Sequence, residues 1–209
     1  MDLETIPPIT GIWASLALAT ALLEHTHVVN QFQLFYTPHL VFGKLQLWRV
    51  ITTFTYFGSL GLDFVFHLFY LMRYSRMLEE NSFQRRSDYL WLLLFSSSLL
   101  LLISPLFTQT FLGSPLAFVL VYVWSRRNRH VRMSLFGVLT ITAPYLPWSL
   151  VAFGWILNGS PKAVVGDIMG VAVGHVYYFL VDVWPRELKS GGRNLLATPR
   201  FFQKLVDGR

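Results

Sequence analysis

The chain has 209 residues, of which 54% are hydrophobic and only 13% charged, with a net charge of +6. Soluble domains carry about twice that share of charged residues, so the composition excludes an ordinary soluble globular domain. The absence of cysteine excludes disulfides, zinc-finger spacing and a thiol nucleophile. The basic residues form short clusters beside apolar stretches, which favours a membrane rather than nucleic acid as their partner.

Six apolar segments of about the length of a membrane span follow one another along the chain. The start, MDLETIPPIT, lacks the basic region of a cleavable signal peptide, so the first segment is expected to remain in the mature protein. Several segments are short or contain proline or charge, which predicts a compact all-α bundle in which neighbouring helices satisfy polar groups. The segments cover residues 10–28, 58–78, 89–107, 109–125, 134–157 and 163–183.

The orientation of the bundle follows from lysine and arginine. The loops after the second and fourth segments and the C-terminal region hold 14 of the 17 basic residues. The positive-inside rule therefore places both termini in the cytosol. We divide the chain into a six-span membrane domain, 1–185, and a short basic cytosolic tail, 186–209. The tail is expected to form a brief amphipathic helix with Phe201, Phe202 and Leu205 toward lipid.

The stretch of about residues 29–57 is too apolar for a solvated loop and is predicted to lie in the membrane interface. Trp48 and Arg49 suit that depth, because an indole favours the headgroup region and a guanidinium binds phosphate or backbone carbonyls. We expect the pair to engage lipid. The alternative is an ordinary interfacial tryptophan and arginine.

Polar side chains on the lumenal half of the bundle could line a hydrated cavity. The candidates are Asp63, His67, Asn158, Asp167 and His175. The alternatives are that some belong to lumenal loops and that the lone intramembrane histidine makes a hydrogen bond within the bundle.

The sequence predicts neither a metal site nor a cofactor, since histidine and acidic residues do not cluster at ligand spacing. The acidic pair Glu79 and Glu80 lies among four arginines and is expected to form a solvated cytosolic network with lipid phosphates. Gly166, Gly170 and Gly174 share one helix face and allow the close approach of another helix, either the broken fourth segment of the same chain or a helix of a second copy.

The motifs LQLWRVITTFTYFG, RYSRMLEENSF, LVYVWSRRN, APYLPW and GVAVGHVYYFL resemble those of the Derlins, members of the rhomboid superfamily. The resemblance covers nearly the whole chain. It implies a six-span endoplasmic reticulum protein with cytosolic termini, which acts without proteolysis in the degradation of misfolded proteins. By the same resemblance, Trp48, Arg49, Gly170 and Gly174 are signature residues.

The rhomboid protease pattern tests whether the chain is an enzyme. Counting along the motifs places Gly113 at the nucleophile position and Asp167 at the base position, with Ser114 one residue late. His175 lies eight residues beyond the base position, or ~12 Å along a helix. We therefore expect a pseudoprotease without a catalytic dyad, in which Ser114 is an N-cap.

The expected function is non-catalytic retrotranslocation of misfolded proteins, aided by a polar cavity and by thinning of the bilayer around short helices. An active intramembrane serine protease and a small-solute transporter are the alternatives. The expected partners are misfolded clients, endoplasmic reticulum lipids and a membrane ubiquitin ligase, and nucleic acid is not among them. By the resemblance, a Phe/Gly-rich box in a longer tail recruits an AAA-type ATPase. The given sequence shows no such box, so either the tail is trimmed or the ATPase acts indirectly, through the ligase complex. A homo- or hetero-oligomer is left open.

Overall fold

The structure, a computed structural model, describes residues 7–135, 139–159, 164–187, 191 and 194–208. Within these residues it is mostly helical, with nine α-helices and one two-stranded hairpin. The helices are α1 (Pro8–His25), α2 (Gln31–Leu34), α3 (Trp48–Thr55), α4 (Leu62–Met77), α5 (Arg86–Ile103), α6 (Gly113–Arg127), α7 (Leu146–Asn158), α8 (Val165–Tyr178) and α9 (Arg200–Asp207).

Helices α1, α4, α5, α6, α7 and α8 overlap the six predicted apolar segments in order, although α7 covers only the second half of the fifth. Turns of π-helix extend α4 to Ser82 and α8 to Val183, and a 3₁₀ turn extends α5 to Phe107. Within the described residues, Arg86–Phe107 and Val165–Arg186 have the length and composition to cross a membrane, and Ala143–Leu157 is a shorter apolar helix. The count of six spans stays a prediction.

Helix α6 is the centre of the bundle. All its side chains from Pro115 to Ser125 are buried, because the helix is apolar around nearly its whole circumference. It packs against α4, α5, α7 and α8, and its contact with α8 is the most extensive between any two elements described. A short helix of 15 residues thus carries the core.

A β-hairpin replaces the first part of the predicted fifth segment. Arg132–Leu135 pairs antiparallel with Leu139–Thr142, with Met133 opposite Ile141. The alternation of polar and β-branched residues in this stretch favours a strand, and Pro144 disfavours helix in the residue before it. The prediction of a span over 134–157 is therefore wrong before residue 143, and the fold is mostly, not entirely, helical.

The stretch between α1 and α4 is folded, not a loose loop. It contains α2, a π-helical turn at His39–Gly43 and α3. The Tyr36 N–H donates to the Thr110 carbonyl at 2.9 Å, and the Leu112 N–H donates to the Thr53 carbonyl at 2.9 Å. These bonds tie the stretch to the chain just before α6.

Glu79 caps the first helix from 70 residues away. Its carboxylate accepts from the N–H groups of Ile9 and Thr10, at 3.1 and 2.9 Å, and from the Thr10 hydroxyl at 2.7 Å. The residue at the N-cap of α1, Pro7, makes no side-chain cap of its own. Glu80 pairs with Arg76 at 3.1 Å. The expected solvated network of these two glutamates is thus wrong for Glu79.

The C-terminal helix α9 forms as predicted, but only part of its apolar face is exposed. Phe201 and Leu205 are exposed, whereas the Phe202 ring lies 5.7 Å from the Trp91 ring of α5. One of the three apolar side chains expected to face lipid therefore packs on the bundle instead.

Candidate functional site

A small cavity lies where the rhomboid catalytic positions fall. Its volume is about 220 Å³, and it is bounded by the start of α6, the start of α4 and facing parts of α7 and α8. We call it the central polar cavity. Its polar lining consists of Tyr56, Asp63, His67, Gln109, Ser114 and Asp167.

Ser114 and Asp167 form the most direct polar contact in this cavity. The Ser114 hydroxyl donates to a carboxylate oxygen of Asp167 at 2.6 Å, although 53 residues separate the two. Asp167 is only 6% exposed. Ser114 is the second residue of α6, and no side chain caps that helix, so the expected role of Ser114 as an N-cap is wrong. The serine instead satisfies a buried carboxylate.

The nucleophile position is closed by the first loop. A Cβ on Gly113 would lie 2.8 Å from the Tyr56 carbonyl oxygen and 3.2 Å from the Phe57 ring. Carbon atoms do not approach an oxygen that closely without a shift of the backbone. A side chain at residue 113 is therefore excluded by packing.

The phenol of Tyr56 borders the cavity and packs on Phe111, with 4.6 Å between the ring centroids. Burial raises the pKa of Tyr56 above its ordinary value of 10.0. The phenol is therefore neutral at physiological pH and adds no charge to the lining.

Asp63 and His67 stand at the more open side of the cavity. The Nδ1 atom of His67 lies 2.8 Å from the Asp63 carbonyl oxygen and 3.5 Å from its carboxylate, which is 49% exposed. Asn158 is the last residue of α7, and its side chain lies outside the described part of the structure. Of the five predicted cavity residues, the structure brings together Asp63, His67 and Asp167.

His175 lies outside the central polar cavity. Its Nδ1 atom is 2.6 Å from the Tyr122 hydroxyl, which also accepts from Nε of Arg126 at 3.0 Å. The prediction that His175 lines the cavity is wrong, and the alternative of a hydrogen bond between helices applies. His175 does not reach the cavity because it lies two turns of α8 away from Asp167.

The three glycines of α8 face α6. A Cβ on Gly166 would meet the Pro115 ring at 3.2 Å, and one on Gly174 would meet Tyr122 Cβ at 3.0 Å. At Gly170 the two backbones are in contact. The neighbour of the glycine face is thus internal to the chain, the first of the two alternatives.

Trp48 and Arg49 point in different directions. Arg49 is buried, and its Nη1 atom donates to the carbonyls of Phe32 and Phe35, both at 2.9 Å. Its Nε atom donates to Gln46 at 2.6 Å. Trp48 is 54% exposed. Arg49 therefore holds the first loop together, while lipid contact stays a prediction, best suited to Trp48.

Sequence reasoning missed Gln109, which lines the central polar cavity, and the contact of Gly154 with Asp167. A Cβ on Gly154 would lie 3.6 Å from an oxygen of the Asp167 carboxylate. Neither residue belongs to a local motif, because both reach the site through packing of separate helices. Across the described residues, no group of three or more acidic, histidine or cysteine side chains is arranged for a metal ion.

Similar proteins cover nearly the whole chain. The profile of the Der1-like family matches residues 6–200. The chain is 37% identical to a protein described as a probable derlin-2 homolog of Dictyostelium discoideum, over 99% of this chain and 82% of that protein. It is 41% identical to Derlin-2.1 of Zea mays, over 96% and 83% of the two chains. It is 36% identical to Derlin-1 of Arabidopsis thaliana, over 97% and 75%.

Proposed function

The chain belongs to the Der1-like family, and from that premise we propose that it moves misfolded proteins from the endoplasmic reticulum lumen or membrane to the cytosol without cutting them. Family membership supports a role in endoplasmic-reticulum-associated degradation and confirms the resemblance seen in the motifs. The route of the client, the topology and the partners are the parts that we propose.

We propose six membrane spans with both termini in the cytosol. The six long helices and the concentration of basic residues at one end of the bundle support this arrangement. In this orientation the central polar cavity opens toward the lumen, where unfolded clients are present.

The central polar cavity is the observation that carries the proposal. It offers a buried carboxylate, hydroxyl and amide groups without a nucleophile at the catalytic position. Such groups can satisfy the polar backbone of an extended client, which is costly to expose in hydrocarbon. The closed position at Gly113 disfavours the protease alternative, and nothing in the described structure favours a small-solute transporter.

Bilayer thinning is the second part of the proposed mechanism. Helix α6 has only 15 residues, or ~22 Å, against a hydrocarbon core of ~30 Å. Lipids around a short bundle adjust by thinning, and a thinner core lowers the cost of polypeptide passage. We propose a ubiquitin ligase complex as the partner that receives the client and an AAA-type ATPase that acts through it.

The test is the turnover of a misfolded lumenal reporter in cells without their own Derlins. The wild-type chain is expected to shorten the half-life of the reporter, and Asp167→Asn, which keeps the side-chain volume, is expected to lengthen it again. Asp63→Asn, at the open side of the cavity, is the matched control with a smaller expected effect. Equal half-lives with the wild-type chain and with no chain would refute the proposal.

A further inference from the structure

A second candidate binding region lies along α1, with α3 and α5 around one part of it and α2 and α3 around the other. It consists of an apolar groove of about 600 Å³ and a more polar cavity of about 550 Å³. We propose that this region binds one phospholipid molecule, with its phosphate beside Arg49 and one acyl chain in the groove. The inference takes from the proposed function only that the bundle lies in a membrane.

The groove is built to hold a hydrocarbon chain. Its walls come from α1, α3 and α5, and its floor includes Leu116 of the central helix. Burial of hydrocarbon against such walls follows the area of contact and needs no specific geometry. The side chains that define the groove include Ile9, Trp13, Leu16, Ile51, Leu94 and Leu116.

The polar cavity continues the groove along the same face of α1. Ile9, Trp13 and Leu16 line the groove, and Thr20 and Leu23 line the cavity. These residues are spaced by four, three, four and three positions, which is one helix face. The distance along the axis of α1 from Ile9 to Thr20 is ~16 Å, close to the ~15 Å thickness of one leaflet of the hydrocarbon core. An acyl chain and its headgroup therefore fit the two parts in order.

Arg49 supplies the charge for the phosphate. Its side chain is 7% exposed and lines the polar cavity. The hydrogen bonds to the first loop use Nε and Nη1, and Nη2 donates to no group among the described residues. A buried guanidinium is stabilised by an acceptor for each donor, and phosphate matches its fork geometry.

The charge beside the groove favours a phospholipid over an apolar helix of another protein. An apolar helix would leave Nη2 of Arg49 without an acceptor, whereas a phosphate supplies one. Trp48, which borders the polar cavity and is half exposed, suits the headgroup depth.

The headgroup end is tested by adding one negative charge. Gln33 lines the polar cavity and accepts from the Asn30 N–H at 3.3 Å in a capping box, a role that glutamate also fills. Gln33→Glu is thus expected to keep α2 and to repel phosphate. Gln31→Glu makes the same charge change in the same helix, at an exposed position outside the cavity lining.

The groove end is tested by filling it. Ser97 lines the groove, so Ser97→Phe is expected to exclude the acyl chain. Leu102 lies on the same helix, is 74% exposed and is not among the groove residues. Leu102→Phe is therefore the matched control.

The measurement is the amount of phospholipid that stays bound to the purified full-length chain. Each variant is reconstituted in phosphatidylcholine nanodiscs and transferred to dodecyl maltoside, and bound lipid is counted by native mass spectrometry. We expect one retained molecule in the wild type and both controls. Retention is expected to fall about tenfold in Gln33→Glu, as for the loss of one charge-assisted hydrogen bond, and by more than that in Ser97→Phe, which removes most of the buried chain.

Equal retention in all variants, or no retention in the wild type, would overturn the inference. A second outcome would also overturn it: Ser97→Phe blocks cross-linking of an apolar helical peptide to the groove but leaves lipid retention unchanged. The groove would then be a binding site for a helix. Reporter turnover separates this inference from the proposed function: normal turnover with lost retention leaves that function intact, and normal retention without turnover refutes only the function.

Discussion

Gly170 lies directly against the backbone of Pro115. A Cβ on Gly170 would overlap the Pro115 carbonyl oxygen and lie 2.9 Å from Phe118 Cβ. Helices α8 and α6 thus touch through their backbones at this point, which only glycine permits. The contact sets the distance between the two helices that hold Asp167 and Ser114.

Gly170→Ala is expected to lower the free energy of unfolding by at least about 1–3 kcal/mol, because the new methyl group forces α8 away from α6. Gly154→Ala is the control, since its Cβ would meet its nearest neighbours at 3.6 and 3.9 Å, which is ordinary contact. Thermal unfolding in nanodiscs measures both. An unchanged unfolding temperature for Gly170→Ala would show that the helices are not this close.

Removal of the Glu79 cap is expected to weaken the first helix. Glu79→Ala leaves the first N–H groups of α1 without their acceptor, at a cost of about 1–2 kcal/mol. Glu80→Ala removes only the partly exposed pair with Arg76 and is expected to cost less than about 1 kcal/mol. Hydrogen exchange at the amides of Ile9 and Thr10 distinguishes the two variants. Equal exchange in both would contradict the cap.

Restoring the protease residue types is not expected to restore a protease. In the double variant Gly113→Ser, Asp167→His, the serine Cβ would lie 2.8 Å from the Tyr56 carbonyl oxygen. The nucleophile therefore cannot take its place without a shift of the first loop, and catalysis depends on that geometry. A fluorophosphonate probe is expected to label neither the double variant nor the wild type. Labelling of the double variant would mean that the loop moves readily.

The C-terminal helix is expected to be a releasable clamp on α5. Asp207 accepts from the Ser87 hydroxyl at 2.6 Å and from its N–H at 3.3 Å, near the N-terminus of α5, where a carboxylate is favoured. Asp207→Ala is expected to increase tryptic cleavage at Lys204 several-fold, as local opening becomes easier by about 1 kcal/mol. Leu205→Ala changes an exposed side chain and is the control. Equal cleavage of the two variants would contradict the clamp.

The long helices could be placed from the sequence because their signal is local. Each needs a run of apolar residues, and hydropathy along the chain detects such runs without knowledge of neighbours. The strand pair Arg132–Leu135 and Leu139–Thr142 escaped this reasoning, because a short apolar run fits a strand and a helix equally well. The spacing of the glycines in α8 also predicted a packing face, with the fourth segment of the same chain or a second copy as its neighbour, and the structure shows the fourth segment, α6.

The family, the glycine face and the expectation that the catalytic pair is missing all come from the order of residues along single segments. The site does not. The bond between Ser114 and Asp167, the closure of residue 113 by Tyr56, the cap of α1 by Glu79 and the inward turn of Arg49 join parts of the chain that are 14 to 70 residues apart. Such contacts depend on how the helices pack and on which buried polar group finds a partner, and no local pattern of residues encodes that choice.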